Sequence, residues 1–158
     1  MKTSSVSEIK QELNNTSPKE LLELCLRLIK YKKENKELIS YLLFEANDLN
    51  SYIENIKAEI DEQFIQMNRS NLYLVKKSLR KILKTINRYI KYTSSKEAEI
   101  ELLIYLCNRI KTSGIKISKS VALINLYNNQ VKKIKAVVAT LHEDLQHDYS
   151  KQMEQLTV

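Results

Sequence analysis

The chain has 158 residues, with 26 Lys and Arg against 19 Asp and Glu for a formal net charge of +7, and a single Gly and a single Pro. So few turn-formers exclude glycine-rich nucleotide loops and disfavour a multi-stranded sheet. No window reaches the roughly 18 uncharged apolar residues of a membrane-crossing helix, and 43% apolar content in one domain's length predicts a folded, all-α protein.

Residues 1–16 read as a short arm. Met1 to Val6 lacks the apolar core of a signal peptide. Ser5 and Glu8 have capping-box spacing, but Val6, Ile9 and Leu13 alone supply the apolar side of the helix they would start. The bundle domain is expected over 17–149. Ser17-Pro18-Lys19-Glu20 is a strong helix start, with Ser at the cap, Pro at the first position and Glu three residues on. The helix it opens carries Leu21, Leu24, Cys25, Leu28 and Ile29 inward.

From Glu37 the apolar series Ile39, Leu42, Ala46, Leu49, Ile53, Ile56 and Ile60 alternates threes and fours, extends to Met67, and predicts one long helix. Asn47-Asp48 and Asn50-Ser51 are weak helix formers within it. Asn68-Arg69-Ser70-Asn71 reads as a turn. Leu72, Val75, Leu79, Ile82, Ile86 and Tyr89 then form the seam of a helix that runs to about Tyr92.

Ser94 and Glu97 cap the next helix, which buries Ile100, Leu103, Ile104, Cys107 and Ile110 and stops at Gly114. Ser118 or Ser120 opens a final long helix with the seam Val121, Ile124, Tyr127, Val131, Ile134, Val138, Leu141 and Leu145. Residues 150–158 read as a polar, frayed tail. The sum is an antiparallel single-domain bundle of five main helices, two short and three long, with a sixth short one at the N-terminus.

Leu24-Cys25-Leu26-Arg27 aligns with Leu106-Cys107-Asn108-Arg109, and without a gap the same offset sets Ile39 on Val121 and Leu49 on Val131. One reading is an internal repeat of short-long helical hairpins. The other is that any two heptad seams slide into register.

Between Gln63 and Lys96 there is no acidic residue and there are nine basic ones, more than the whole net charge. Placed every 100°, Lys76, Lys77, Arg80, Lys81, Lys84, Arg88 and Lys91 occupy the arc opposite the apolar seam, with Tyr73 among them and Tyr92 at the edge. With Arg69 they are the candidate polyanion-binding set, because a basic stripe can track phosphates and release counterions. The competing reading is neutralisation by Glu54, Glu59, Asp61 and Glu62. A short turn would bring Glu62 to Lys76 or Lys77, and Glu59 to Arg80 or Lys81.

The other residues point to no chemistry. Lys132, Lys133 and Lys135 read as a solubilising cluster. Two cysteines give neither a disulfide framework nor metal spacing, and both read as core residues of a reduced, cytoplasmic protein. His142 and His147 are five apart, which is wrong for a helical metal pair, and fit better near a helix C-terminus. No carboxylate joins a Glu-x-x-His pair. Neither an enzyme, a metal nor a cofactor is expected. The leading expectation is a non-enzymatic interaction module that binds a protein partner or itself, since long seams and nine tyrosines suit partner surfaces. The alternative is binding of nucleic acid or another polyanion along the basic helix, and a third reading is association with an anionic membrane surface.

Overall fold

A computed structural model describes residues 3–156. Met1 and Lys2 of the expected arm, and Thr157 and Val158 of the expected tail, lie outside the described residues. The protein is all-α, with eight α-helices and no strand among the described residues. It divides into two compact units, Met1–Phe44 and Glu45–Val158. That boundary falls inside the 17–149 span expected as one bundle.

The first unit holds α1 (Val6–Asn15), α2 (Pro18–Tyr31) and α3 (Lys33–Ser40). Both capping boxes form as the sequence predicts. Ser5 accepts from the Glu8 N–H while Glu8 accepts from the Ser5 N–H, and Ser17 and Glu20 do the same. Helices α2 and α3 pack on each other, and the Asn35 side chain donates to the Leu28 carbonyl at 2.8 Å.

None of these three helices buries a residue. Leu24, Leu28 and Cys25, expected inward, are exposed, and Leu21 and Ile29 are half-buried. The cause is composition. Leu22, Leu24, Leu26 and Leu28 spread apolar surface around α2, more than the short α3 can cover.

The long helix expected from Glu37 to Met67 is two helices. A π-helical turn, Tyr41–Glu45, follows α3, and α4 (Leu49–Ile65) starts afresh. The Asp48 carboxylate accepts from the Ser51 N–H at 3.0 Å and from its hydroxyl at 2.7 Å. A side chain that captures the backbone three residues on is a helix start, so the break falls at Asp48 despite the continuous apolar pattern. Leu42 and Ala46 are accordingly exposed, and the seam is buried only from Ile53 onward, through Ile56, Ile60, Phe64 and Met67.

The second unit is a bundle in which α6 (Lys96–Thr112) packs against α4, α5 (Leu72–Thr93) and α7 (Val121–Val138). Ile100, Leu103, Ile104, Cys107 and Ile110 are buried as expected, and so are Ala98, Leu102 and Leu106. With buried residues over most of its circumference and α4, α5 and α7 packed on it, α6 is the centre of the bundle. Burial pushes the Cys107 thiol up to about 12, so it is an inert core residue. Its cap is Ser95, one residue after the expected Ser94. Ser94 instead takes a left-handed conformation with φ 52° and ends α5. Gly114, at φ 73°, follows the other end of α6 as the sequence predicts.

The expected final helix is also two. Helix α7 ends at Val138 and α8 (Glu143–Glu154) follows. The Thr140 hydroxyl donates to Val137 O and the Gln146 amide to Leu141 O, so side chains satisfy the carbonyls at the break. His142 caps the start of α8 and does not sit at a helix C-terminus. The α7 seam is rotated from its expected line. Leu123, Leu126, Tyr127, Gln130, Ile134 and Val138 are buried, while Val121 is 73% exposed. The tail is ordered further than expected, since α8 runs past Ser150 and the Tyr127 hydroxyl donates to the carbonyl of buried Leu156 at 2.8 Å.

The suggested repeat does not extend to these breaks. The offset that aligns Cys25 with Cys107 sets the interruption at Asp48 on Gln130, a buried residue within unbroken α7.

Candidate polyanion-binding helix

Helix α5 is the longest helix of the chain, and its two faces follow directly from its sequence. Asn71 caps it, its side chain accepting from the Leu74 N–H at 2.9 Å. Val75, Leu79, Ile82, Ile86 and Ile90 are buried along one side. Opposite them Lys77, Arg80, Lys81, Lys84 and Lys91 are exposed, and Lys76 is half-buried. From Lys76 to Lys91 this ridge is about 22 Å long at 1.5 Å per residue.

The ridge is not neutralised. Among the described residues none of Lys76, Lys77, Arg80, Lys81, Lys84 and Lys91 forms an ion pair. The pairing of Glu62 with Lys76 or Lys77, and of Glu59 with Arg80 or Lys81, is not made. Three of the four acids of α4 have other partners, and Glu62 is exposed and forms no ion pair among the described residues. Glu54 binds Lys57, which also reaches Glu101. Asp61 pairs with Arg109 at 2.7 Å and accepts from the Tyr105 hydroxyl at 2.8 Å. Glu59 accepts from the Tyr89 hydroxyl at 2.8 Å and from Gln63.

Asp61 therefore faces α6, and Glu59 faces the flank of α5. The reason is register. Helices α4 and α6 run parallel, two apart in the chain, so Lys57 meets Glu101, and Asp61 meets Tyr105 and Arg109, one turn at a time. Burial lowers the proton affinity of Lys57, but hydrogen bonds and charge from Glu101 and Glu54 outweigh it and leave the ammonium above its ordinary value.

Two of the expected cations belong elsewhere. Arg69 lies in the turn before α5, where its guanidinium donates to Ser113 O at 2.8 Å and to Phe64 O at 3.3 Å, latching that turn to the end of α6. Arg88 is half-buried, with its guanidinium carbon 5.2 Å from the Tyr89 ring centroid. Tyr92, expected at the edge of the arc, is buried.

Clefts lie at both ends of the ridge. Near its C-terminal end, a cleft of about 640 Å³ is lined by Lys91, Lys96 and Lys133 with Asn87 and the Glu99 that holds Lys133 at 2.7 Å. At the N-terminal end, a cleft of about 260 Å³ has an apolar floor of Leu72, Val75 and Ile115, beside Arg69, Lys116 and Lys119. The sequence did not mark Lys116, Lys119 or Lys133 as part of this site, because only the packing of α6 on α5, and of α7 on α6, brings them there.

Among the described residues no group of three or more His, Cys, Asp or Glu side chains is placed to hold a metal ion. No helix among the described residues is long and apolar enough to cross a membrane. No family model, curated protein or solved structure matches the chain.

Proposed function

We propose that this protein is a non-enzymatic binding module that holds a polyanion, foremost nucleic acid, along α5. One observation carries this reading: six cations share one face of a 22-residue helix and none forms an ion pair among the described residues. Solvated charge faces are common, but they usually mix signs. Here Glu54, Glu59 and Asp61 are engaged by other partners and Glu62 pairs with none of the lysines, which supports a positive field that reaches solvent. That puts the ridge ahead of the protein-contact reading.

The test is retention on heparin and binding to nucleic acid across a salt series. Lys77→Glu, Arg80→Glu and Lys84→Glu together replace exposed side chains and should lower affinity at least a hundredfold. Lys10→Glu, Lys19→Glu and Lys30→Glu make the same charge change on the first unit and should have little effect. Equal loss in both triple variants would mean that net charge alone is at work and would defeat the proposal.

A second reading, contact with a protein partner or a second copy, rests on the first unit. Exposed Leu22, Leu24, Leu26 and Leu28 on a helix that buries no residue support it. Sedimentation over a concentration range, with Leu24→Lys and Leu28→Lys as the disrupting pair, decides it. A monomer at every concentration excludes the second-copy form.

A further inference from the structure

We propose that the polyanion on α5 is double-helical nucleic acid, held through its phosphates without base readout. This rests on the ridge reading above and adds what the aromatic side chains do. Proteins that hold single strands combine a basic track with aromatic faces on which bases stack, and each such base adds substantially to affinity. Helix α5 has three tyrosines, and only Tyr73 stands exposed beside the lysines.

Tyr92 is buried. Tyr89 is half-buried, packed edgewise against Tyr52 at 6.3 Å and Tyr92 at 6.1 Å, with Arg88 over its ring and its hydroxyl bonded to Glu59. Tyr73 is exposed, but the Lys76 ammonium lies 5.6 Å from its ring centroid, and the ring stands alone at the first turn. One ring cannot form a stacking track.

What the ridge offers is charge repeated along one helix face. Backbone-only binding favours the ligand with the highest density of phosphates along its axis. A duplex carries one charge per about 1.7 Å of axis, twice that of one of its strands, and releases more counterions per neutralised phosphate. The same feature argues against a membrane surface, because no large apolar side chain other than Tyr73 stands exposed on the cationic arc to enter the headgroup layer.

The experiment uses the full chain and fluorescence anisotropy. The probes are a mixed-sequence DNA duplex of about 20 base pairs, an RNA duplex of equal length, an oligothymidine strand of equal length, heparin, and phosphatidylserine vesicles. Both duplexes should bind at least about tenfold tighter than the strand near 0.1 M salt, with a log–log salt slope of about −5 from six cations. Tyr73→Ala should leave duplex affinity within about twofold.

A strand bound as tightly as the duplex overturns the inference, as does strand binding that collapses in Tyr73→Ala. Vesicles preferred over duplex also overturn it, while heparin binding in each of these cases would leave the ridge reading standing. Binding to none of the polyanions would defeat both.

Discussion

The Tyr89 hydroxyl donates to the Glu59 carboxylate at 2.8 Å, and this bond fixes which way the acidic side of α4 faces. Antiparallel packing alone would have allowed Glu59 to answer Arg80 or Lys81. Bonded to Tyr89, it is on the flank of α5 instead, and the ridge remains positive. Burial first, and then Glu59, holds the Tyr89 phenol above its ordinary value, so it is a donor throughout the neutral range. Tyr89→Phe should therefore cost about 1–2 kcal/mol in urea unfolding, the size of a part-buried hydrogen bond to a charged acceptor. An unchanged midpoint would mean that the bond contributes nothing.

The contrast between the two units predicts unequal sensitivity to truncation. Leu103 is fully buried in the central helix, and Leu103→Ala should cost about 2–5 kcal/mol through lost burial and a cavity. Leu24→Ala removes the same atoms from an exposed site and should change stability by less than about 0.5 kcal/mol. Chemical denaturation followed by circular dichroism separates the two.

Two residues with positive φ predict opposite outcomes for exchanges with glycine. A Cβ added to Gly114 would meet nothing within 4 Å, so Gly114→Ala should destabilise by about 1 kcal/mol through backbone conformation alone. Ser94→Gly relieves the same strain at the end of α5 and should stabilise by up to about 1 kcal/mol. Thermal melts of both variants test the pair, and a destabilised Ser94→Gly would show that the side chain matters more than φ.

Tyr127 ties the chain's last turn to the core through its bond to Leu156 O. Tyr127→Phe keeps the ring and removes the bond. Trypsin should then cut at Lys151 several-fold faster, while the global unfolding midpoint falls by only about 1 kcal/mol. Cleavage at the wild-type rate would mean that side-chain packing alone holds the tail.

Alkaline pH should weaken the second unit. Burial pushes both the Cys107 thiol and the Tyr127 phenol up to about 12, from ordinary values of 9.0 and 10.0. Both stay protonated in the folded state while the unfolded chain releases its protons. The stabilisation is therefore complete below about pH 9 and is lost as pH rises toward 12. Urea midpoints measured between pH 8 and 11 should fall, and Cys107→Ala should flatten the part of the fall that starts near pH 9.

The residues of the sequence determined whatever depends on neighbours in the chain. Helix class, both N-terminal capping boxes, the Asn71 and Gly114 ends, the buried seam from Ile53 to Ile60, and the two faces of α5 all follow from spacings of three and four residues. The same local signals misled where two of them competed. At Asp48 the apolar periodicity ran on while a capping side chain started a new helix, and the cap prevailed because its bonds to Ser51 are made within one turn.

Only the tertiary structure decided the partners of the acids, since Asp61 meets Arg109 and Tyr105 across a parallel pair of helices that no local pattern encodes. It also decided that α6 is central, that α2 remains exposed, and that Tyr89 and Tyr92 turn away from the lysines. Those outcomes depend on register between distant helices, and register is set by how whole surfaces fit together. The charge of the ridge was written in the chain, and its freedom from neutralisation came from the packing.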